Sequence, residues 1–123
     1  MADPITLKQA DWMIAGTDLS KDFAALQRAQ LPHLLLAELA VGDGHGYALA
    51  GRLADKGMPR LKGAALYPAL NKLEQAGLAD TRWEEQSSGP GRKVYSITDQ
   101  GRRMLVAHRE LFAAFAAIVD SYS

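Results

Sequence analysis

The chain has 123 residues, 48% of them hydrophobic, which is the size of one domain with enough apolar surface to bury a core. No run reaches the roughly 18 apolar residues of a membrane span, the N-terminus lacks the pattern of a secretion signal, and there is no cysteine for disulfides, thiolate zinc or a thiol nucleophile; a soluble cytoplasmic protein is expected. Formal net charge is zero, which argues against a nucleic-acid binder unless the charges are segregated along the chain.

Residues 1–19 place Leu7, Ala10 and Ile14 at helical spacing with Trp12 beside them, before Gly16, Thr17 and Asp18 interrupt, and read as a short helix or an arm. From a Ser20 cap, Phe23, Leu26, Leu31, Leu34, Leu35, Leu36, Leu39 and Val41 mark one long buried helix. Pro32 lies inside it and bends it or divides it in two. Residues 42–46 are a loop by composition, and Tyr47, Leu49, Ala50 and Leu53 then share one face of a second helix over 47–56. After a stop at Gly57-Met58-Pro59 and a turn over 60–63, Leu66, Ala69, Leu70 and Leu73 predict a third helix over 65–76, closed by a left-handed Gly77. The period then changes. Residues 78–85 and 92–98, rich in Trp, Val, Tyr, Ile and Thr, predict a β-hairpin with a polar tip, and Thr98 caps a last helix from Asp99 to about Asp120.

In that last helix Met104, Leu111 and Ile118 recur every seven residues, and so do His108, Phe115 and Tyr122. With Leu105, Phe112 and Val119 alongside, the apolar stripe is wider than one small domain needs, and a homodimer is expected. The candidate dimer residues are Phe23, Leu26, Met104, His108, Leu111, Phe112, Phe115, Ile118, Val119 and Tyr122. The alternative is that this helix folds back on the long first helix of its own chain.

Helix, helix, helix, hairpin, helix is the order of a winged helix-turn-helix domain (20–98) followed by a dimerisation helix (99–123): mainly α with a β-hairpin wing. In such a unit the second helix of the pair can enter a major groove about 12 Å wide. The charges are indeed segregated. Residues 52–72 hold Arg52, Lys56, Arg60, Lys62 and Lys72 against Asp55 alone, and residues 92–109 hold Arg92, Lys93, Arg102, Arg103 and Arg109 against Asp99 alone. Two solvated faces are the plain reading of this, and a polyanion partner the functional one. Lys62, Lys72, Arg92 and Lys93 are the phosphate candidates, with Gly63 and Ala64 as a backbone anchor at a helix N-terminus. Tyr67 and Asn71, four apart, are base-side candidates, because Asn can read adenine in a bidentate manner; Tyr67 could equally be a core aromatic. His45 and Tyr47 open the second helix, His45 as a phosphate contact or a helix cap. Trp83 reads as a packing residue.

His45-Gly46-Tyr47 with Leu49, Leu66-Tyr67-Pro68-Ala69-Leu70 running on to Leu73-Glu74-Gln75-Ala76-Gly77-Leu78, and Gly89-Pro90-Gly91-Arg92-Lys93-Val94-Tyr95-Ser96-Ile97-Thr98 with Gly101 are similar to the PadR family of bacterial transcriptional regulators, in its shorter form with a single C-terminal helix. The resemblance covers roughly residues 31–105. It implies a homodimeric repressor, joined through the first and last helices, that binds a partly palindromic double-stranded DNA operator and is released by a small molecule. Two departures stand out. Ala64-Ala65 occupies the place where the family usually carries a Ser or Thr before its LYP residues, which removes one hydroxyl contact, and the arm at 1–19 is longer than the pattern needs. Trp12 and Phe115 are the candidate lining of an effector pocket.

Two other classes compete. An enzyme has little to build on: His33, His45 and His108 lie on three different predicted elements without metal-ligand spacing, no GxSxG occurs, and Gly42-x-Gly44-x-Gly46 follows a helix rather than a strand. No metal or cofactor is expected. A winged-helix protein-interaction module that does not bind DNA is the second competitor, and the neutral net charge permits it.

Overall fold

The computed structural model describes residues 12–86 and 88–122. Its elements are β1 (Met13–Ile14), β2 (Thr17–Asp18), α1 (Ser20–Ala29), α2 (Leu31–Val41), β3 (Gly44–His45), α3 (Gly46–Asp55), α4 (Gly63–Gln75), β4 (Ala79–Glu84), β5 (Arg92–Ile97) and α5 (Asp99–Asp120). Leu7 and Ala10 of the expected first helix lie outside the described residues. Ile14 is in a strand: β1 and β2 pair antiparallel around Ala15 and Gly16, whose φ values of 51° and 78° are what a two-residue hairpin turn requires.

Pro32 divides the long helix rather than bending it. The break falls at Gln30, so that Pro32 sits in the first turn of α2, where its missing N–H costs no intrahelical bond. Ser20 is not the cap expected of it. Its own N–H donates to Asp18 Oδ1 at 3.0 Å, and that bond holds the Asp18 carboxyl below its ordinary pKa.

α2 is the centre of the molecule, which is why it is apolar nearly all round. Its Leu31, Leu35, Leu36 and Leu39 pack with Leu49, Ala50 and Leu53 of α3, Leu66, Ala69, Leu70 and Leu73 of α4, and Leu78, Ala79 and Tyr95 of the sheet region. The wing is a three-stranded antiparallel sheet in the order β3-β5-β4, with Gly44 opposite Tyr95 and Trp83 opposite Lys93. The strand β3 was expected as loop, because two residues in a glycine-rich stretch carry no periodicity.

Two glycines set the joint between wing and α5. Gly77 takes a φ of 75° after α4, and Gly101 lies so close to β4 that a Cβ there would stand 2.2 Å from the Leu78 carbonyl oxygen. Thr98 caps α5 as expected, its Oγ1 accepting from Gly101 N–H at 3.0 Å while donating to the Gly77 carbonyl at 2.7 Å. The first part of α5 packs back on its own chain, through Leu105 and through His108 stacked on His33. From Arg109 to Tyr122 every residue is exposed, including Leu111, Phe115, Ile118 and Val119. The fold-back alternative therefore describes half of the helix.

Candidate nucleic-acid interface

α4 buries Leu66, Ala69, Leu70 and Leu73 on one side and turns Ala64, Ala65, Tyr67, Pro68, Asn71 and Lys72 outward. This is the face on which the base-side candidates Tyr67 and Asn71 were placed. Tyr67 satisfies both of its readings. Its ring lies over Gly46, where a Cβ would be 2.9 Å from Cε1, yet the residue remains 48% exposed. Lys62 occupies the cap position of α4 without a side-chain cap bond, and the first helical bonds run from Ala65 and Leu66 N–H to its carbonyl. The amides of Gly63 and Ala64 precede those bonds and point out of the helix N-terminus.

Between α4 and the wing runs a cleft of about 330 Å³ lined by His45, Gly46, Tyr67, Asn71, Arg92, Lys93 and Tyr95. Seven residues from four segments meet there, and five of them, His45, Tyr67, Asn71, Arg92 and Lys93, are DNA-contact candidates from sequence. Gly46 and Tyr95 are the other two, with no role read from sequence beyond their place in the family motifs. On the other side of α4, Lys72 shares a groove with Arg28, Pro32, Ala65 and Pro68. Arg28 was not a candidate, because a single cation on a helix surface gives no local signal.

The cations are not equivalent. Arg52 donates to the Gly42 and Asp43 carbonyls at 2.8 Å each, and Lys56 pairs with the buried Glu38, so both are structural. Lys93, expected on a phosphate, donates to Glu74 Oε1 at 2.9 Å and lies 5.5 Å above the Tyr95 ring. That bond, with a second from Thr81, holds the Glu74 carboxyl below its ordinary pKa and raises the Lys93 ammonium above its own. Among the described residues Lys62, Lys72 and Arg92 have no acidic partner within salt-bridge distance, and Arg92 meets the His45 ring nitrogen.

His45 serves as the cap: its Nδ1 accepts from Ala48 N–H at 3.3 Å. Its Nε2 is 3.2 Å from Arg92 Nη1, and a neutral imidazole, having one acceptor nitrogen, satisfies one of these donors at a time. Burial, then the Arg92 and Arg52 guanidiniums, keep this imidazole below the ordinary histidine pKa. Tyr47 is exposed under the Arg60 guanidinium, 4.9 Å from the ring centre. Trp83 is not a packing residue, being 72% exposed on the outer strand of the wing.

Among the dimer candidates, Met104 and His108 line a small cavity with His33, Leu36 and Leu73, whereas Leu26, Leu111, Phe115, Ile118, Val119 and Tyr122 are open to solvent. Trp12 stacks on Phe23 with ring centres 3.7 Å apart, over a cavity of about 90 Å³ shared with Ser20, Gly57, Met58 and Pro59. Phe115 is not part of that lining. The phenylalanine of α5 that lines the neighbouring apolar groove, with Phe23, Leu26, Gln27, Leu34 and Met58, is Phe112.

Residues 35–107 match the family model described as transcriptional regulator PadR-like family. The chain is similar to the crystal structure of a PadR family transcriptional regulator from Eggerthella lenta DSM 2243, with 36% identity over 84% of this chain and 87% of the other and a TM-score of 0.69. It is similar to smu.1704 from Streptococcus mutans UA159 at 30% identity over 76% and 85% of the two chains, TM-score 0.64. It also shares the fold of a PadR-like transcription factor from Bacteroides fragilis, at 19% identity over 84% and 99% and a TM-score of 0.70. No curated protein matches the chain significantly in sequence.

Proposed function

The chain belongs to the PadR-like family of transcriptional regulators, and from that premise we propose that it is a ligand-responsive repressor that occupies a partly palindromic operator as a homodimer. Residues 1–19 form its arm, 20–98 its DNA-binding domain and 99–123 its dimerisation helix. Two α4 helices enter successive major grooves about one helical turn apart, roughly 34 Å, while Lys62, Lys72 and Arg92 meet phosphates on either side. The observation that carries the reading is the outward face of α4, polar and uncharged at Tyr67 and Asn71 and flanked by cations without acidic partners among the described residues. Supporting the dimer is the run of exposed apolar residues on the distal half of α5. Supporting an effector is the aromatic cavity under Trp12 and Phe23, at the edge of the α1 and α5 surface through which subunits would join. A ligand there acts only by preferring one dimer geometry over another.

The test is a duplex drawn from upstream of the protein's own gene, titrated at several salt concentrations with particle size measured in parallel. A dimer whose affinity falls steeply with salt is the expected result. A protein that binds no duplex at any salt sinks the reading and leaves an interaction module in its place.

A further inference from the structure

Ala79, Thr81 and Trp83 alternate onto one face of β4, and their partners Ile97, Tyr95 and Lys93 share it on β5. The orientation of that face is fixed by α4, since Thr81 and Lys93 both bond to Glu74. The inner end of the face is covered, with Ala79 and Tyr95 buried, but the outer end is not: Trp83, two residues and roughly 7 Å beyond Thr81, is 72% exposed. An exposed tryptophan beside two cations offers a flat apolar ring and an N–H donor to a partner. Its pair partner Lys93 and the adjacent Arg92 line the cleft beside α4. Glu84, the neighbouring acid, points to the opposite face and pairs with Arg82. The exposed apolar residues proposed for the subunit contact, Leu26 and the distal run of α5, lie on other elements than this sheet.

We propose that Trp83 is a nucleic-acid contact whose indole packs on the sugar-phosphate edge of the duplex beside the groove that α4 occupies. The flat ring covers deoxyribose carbons, and its N–H is a donor for a phosphate oxygen. The inference rests on the DNA-binding reading above and adds an apolar element to it. Such a contact tightens binding by a factor that salt does not change, whereas each cation contributes to the salt slope.

Trp12 and Trp83 are the two tryptophans of the chain, so Trp12→Phe, which keeps a ring to stack on Phe23, leaves Trp83 as the single indole emitter. Saturating that variant with the upstream duplex is expected to quench or shift its emission. Trp83→Ala in the wild-type background is expected to weaken binding roughly tenfold at every salt concentration with the slope unchanged. Salt-sensitive binding with silent Trp83 emission and an affinity within twofold overturns this proposal alone. A wild-type chain without salt-sensitive duplex binding overturns it together with the function it rests on.

Discussion

Glu74 of α4 and Lys93 of β5 are joined at 2.9 Å, and the second oxygen of the same carboxylate takes the Thr81 hydroxyl at 3.0 Å, so one side chain ties α4 to both long strands of the wing. The wing is thereby held at a set angle to α4. It also means that the two neighbouring cations of β5 do different work, Arg92 facing solvent and Lys93 facing its own protein.

Arg92→Ala is expected to lower the slope of log affinity against log salt by about one, the share of one phosphate contact, while Lys93→Ala leaves that slope nearly unchanged. Glu74→Gln should steepen it, since Lys93 is released to the duplex. Equal slopes for the Arg92 and Lys93 variants would show that the ion pair opens on binding.

Asn71→Ala should relax base preference at particular operator positions and leave binding to unrelated DNA unchanged, as measured by competition with single-position operator variants. A uniform loss across all sequences would make Asn71 a backbone contact.

Substitution at Gly101 is the sharpest structural test. Gly101→Ala puts a methyl group 2.2 Å from a backbone oxygen that cannot move aside, and a loss of about 3 kcal/mol in urea unfolding is expected. Gly46→Ala meets side chains alone, the Tyr67 ring at 2.9 Å and Leu70 Cδ1 at 3.1 Å, and should cost less because side chains give way more readily than a backbone carbonyl.

His33 and His108 stack with ring centres 4.8 Å apart, and both Nδ1 atoms are buried without a hydrogen-bond partner. Burial, then His108 and Arg109, keep His33 below the ordinary histidine pKa. The unfolded chain thus binds this proton more readily than the folded one. The stability contributed by neutral His33 is present above the ordinary value of 6.5 and is lost as pH falls from there through the lowered one. His33→Phe, which keeps the edge contact to Phe112, should flatten thermal stability across that window; an identical pH profile for the variant would remove the pair from the account.

Phe115→Asp is expected to give a folded monomer, with helix content nearly retained and sedimentation at half the mass. Unchanged sedimentation would place the subunit seam elsewhere.

Much of the architecture was legible residue by residue. Leu66, Ala69, Leu70 and Leu73 gave α4 its buried side, Thr98 and Gly77 marked the ends of helices, and the seven-residue recurrence of Leu111 and Ile118 marked an apolar surface that is exposed in the fold. Less legible were β3, too short for any period, and the Ser20 cap, where Asp18 two residues earlier supplied the carboxylate instead.

Sequence by itself determined the long helices, the β4–β5 hairpin and which of their faces are apolar, because these depend on spacings of two to seven residues along one backbone, whereas the two-residue strands β1, β2 and β3 carry no such period. Which cations stay available, which histidines touch and whether an aromatic is covered depend on partners up to 75 positions away, as His33 and His108 are. Composition cannot distinguish Lys93, neutralised by a helix carboxylate, from Lys62, which has no acidic partner among the described residues, nor Tyr95 under the sheet from Trp83 at its edge. Only packing brings those groups within hydrogen-bonding or van der Waals reach, and electrostatic and apolar forces act over that distance, not over distance along the chain.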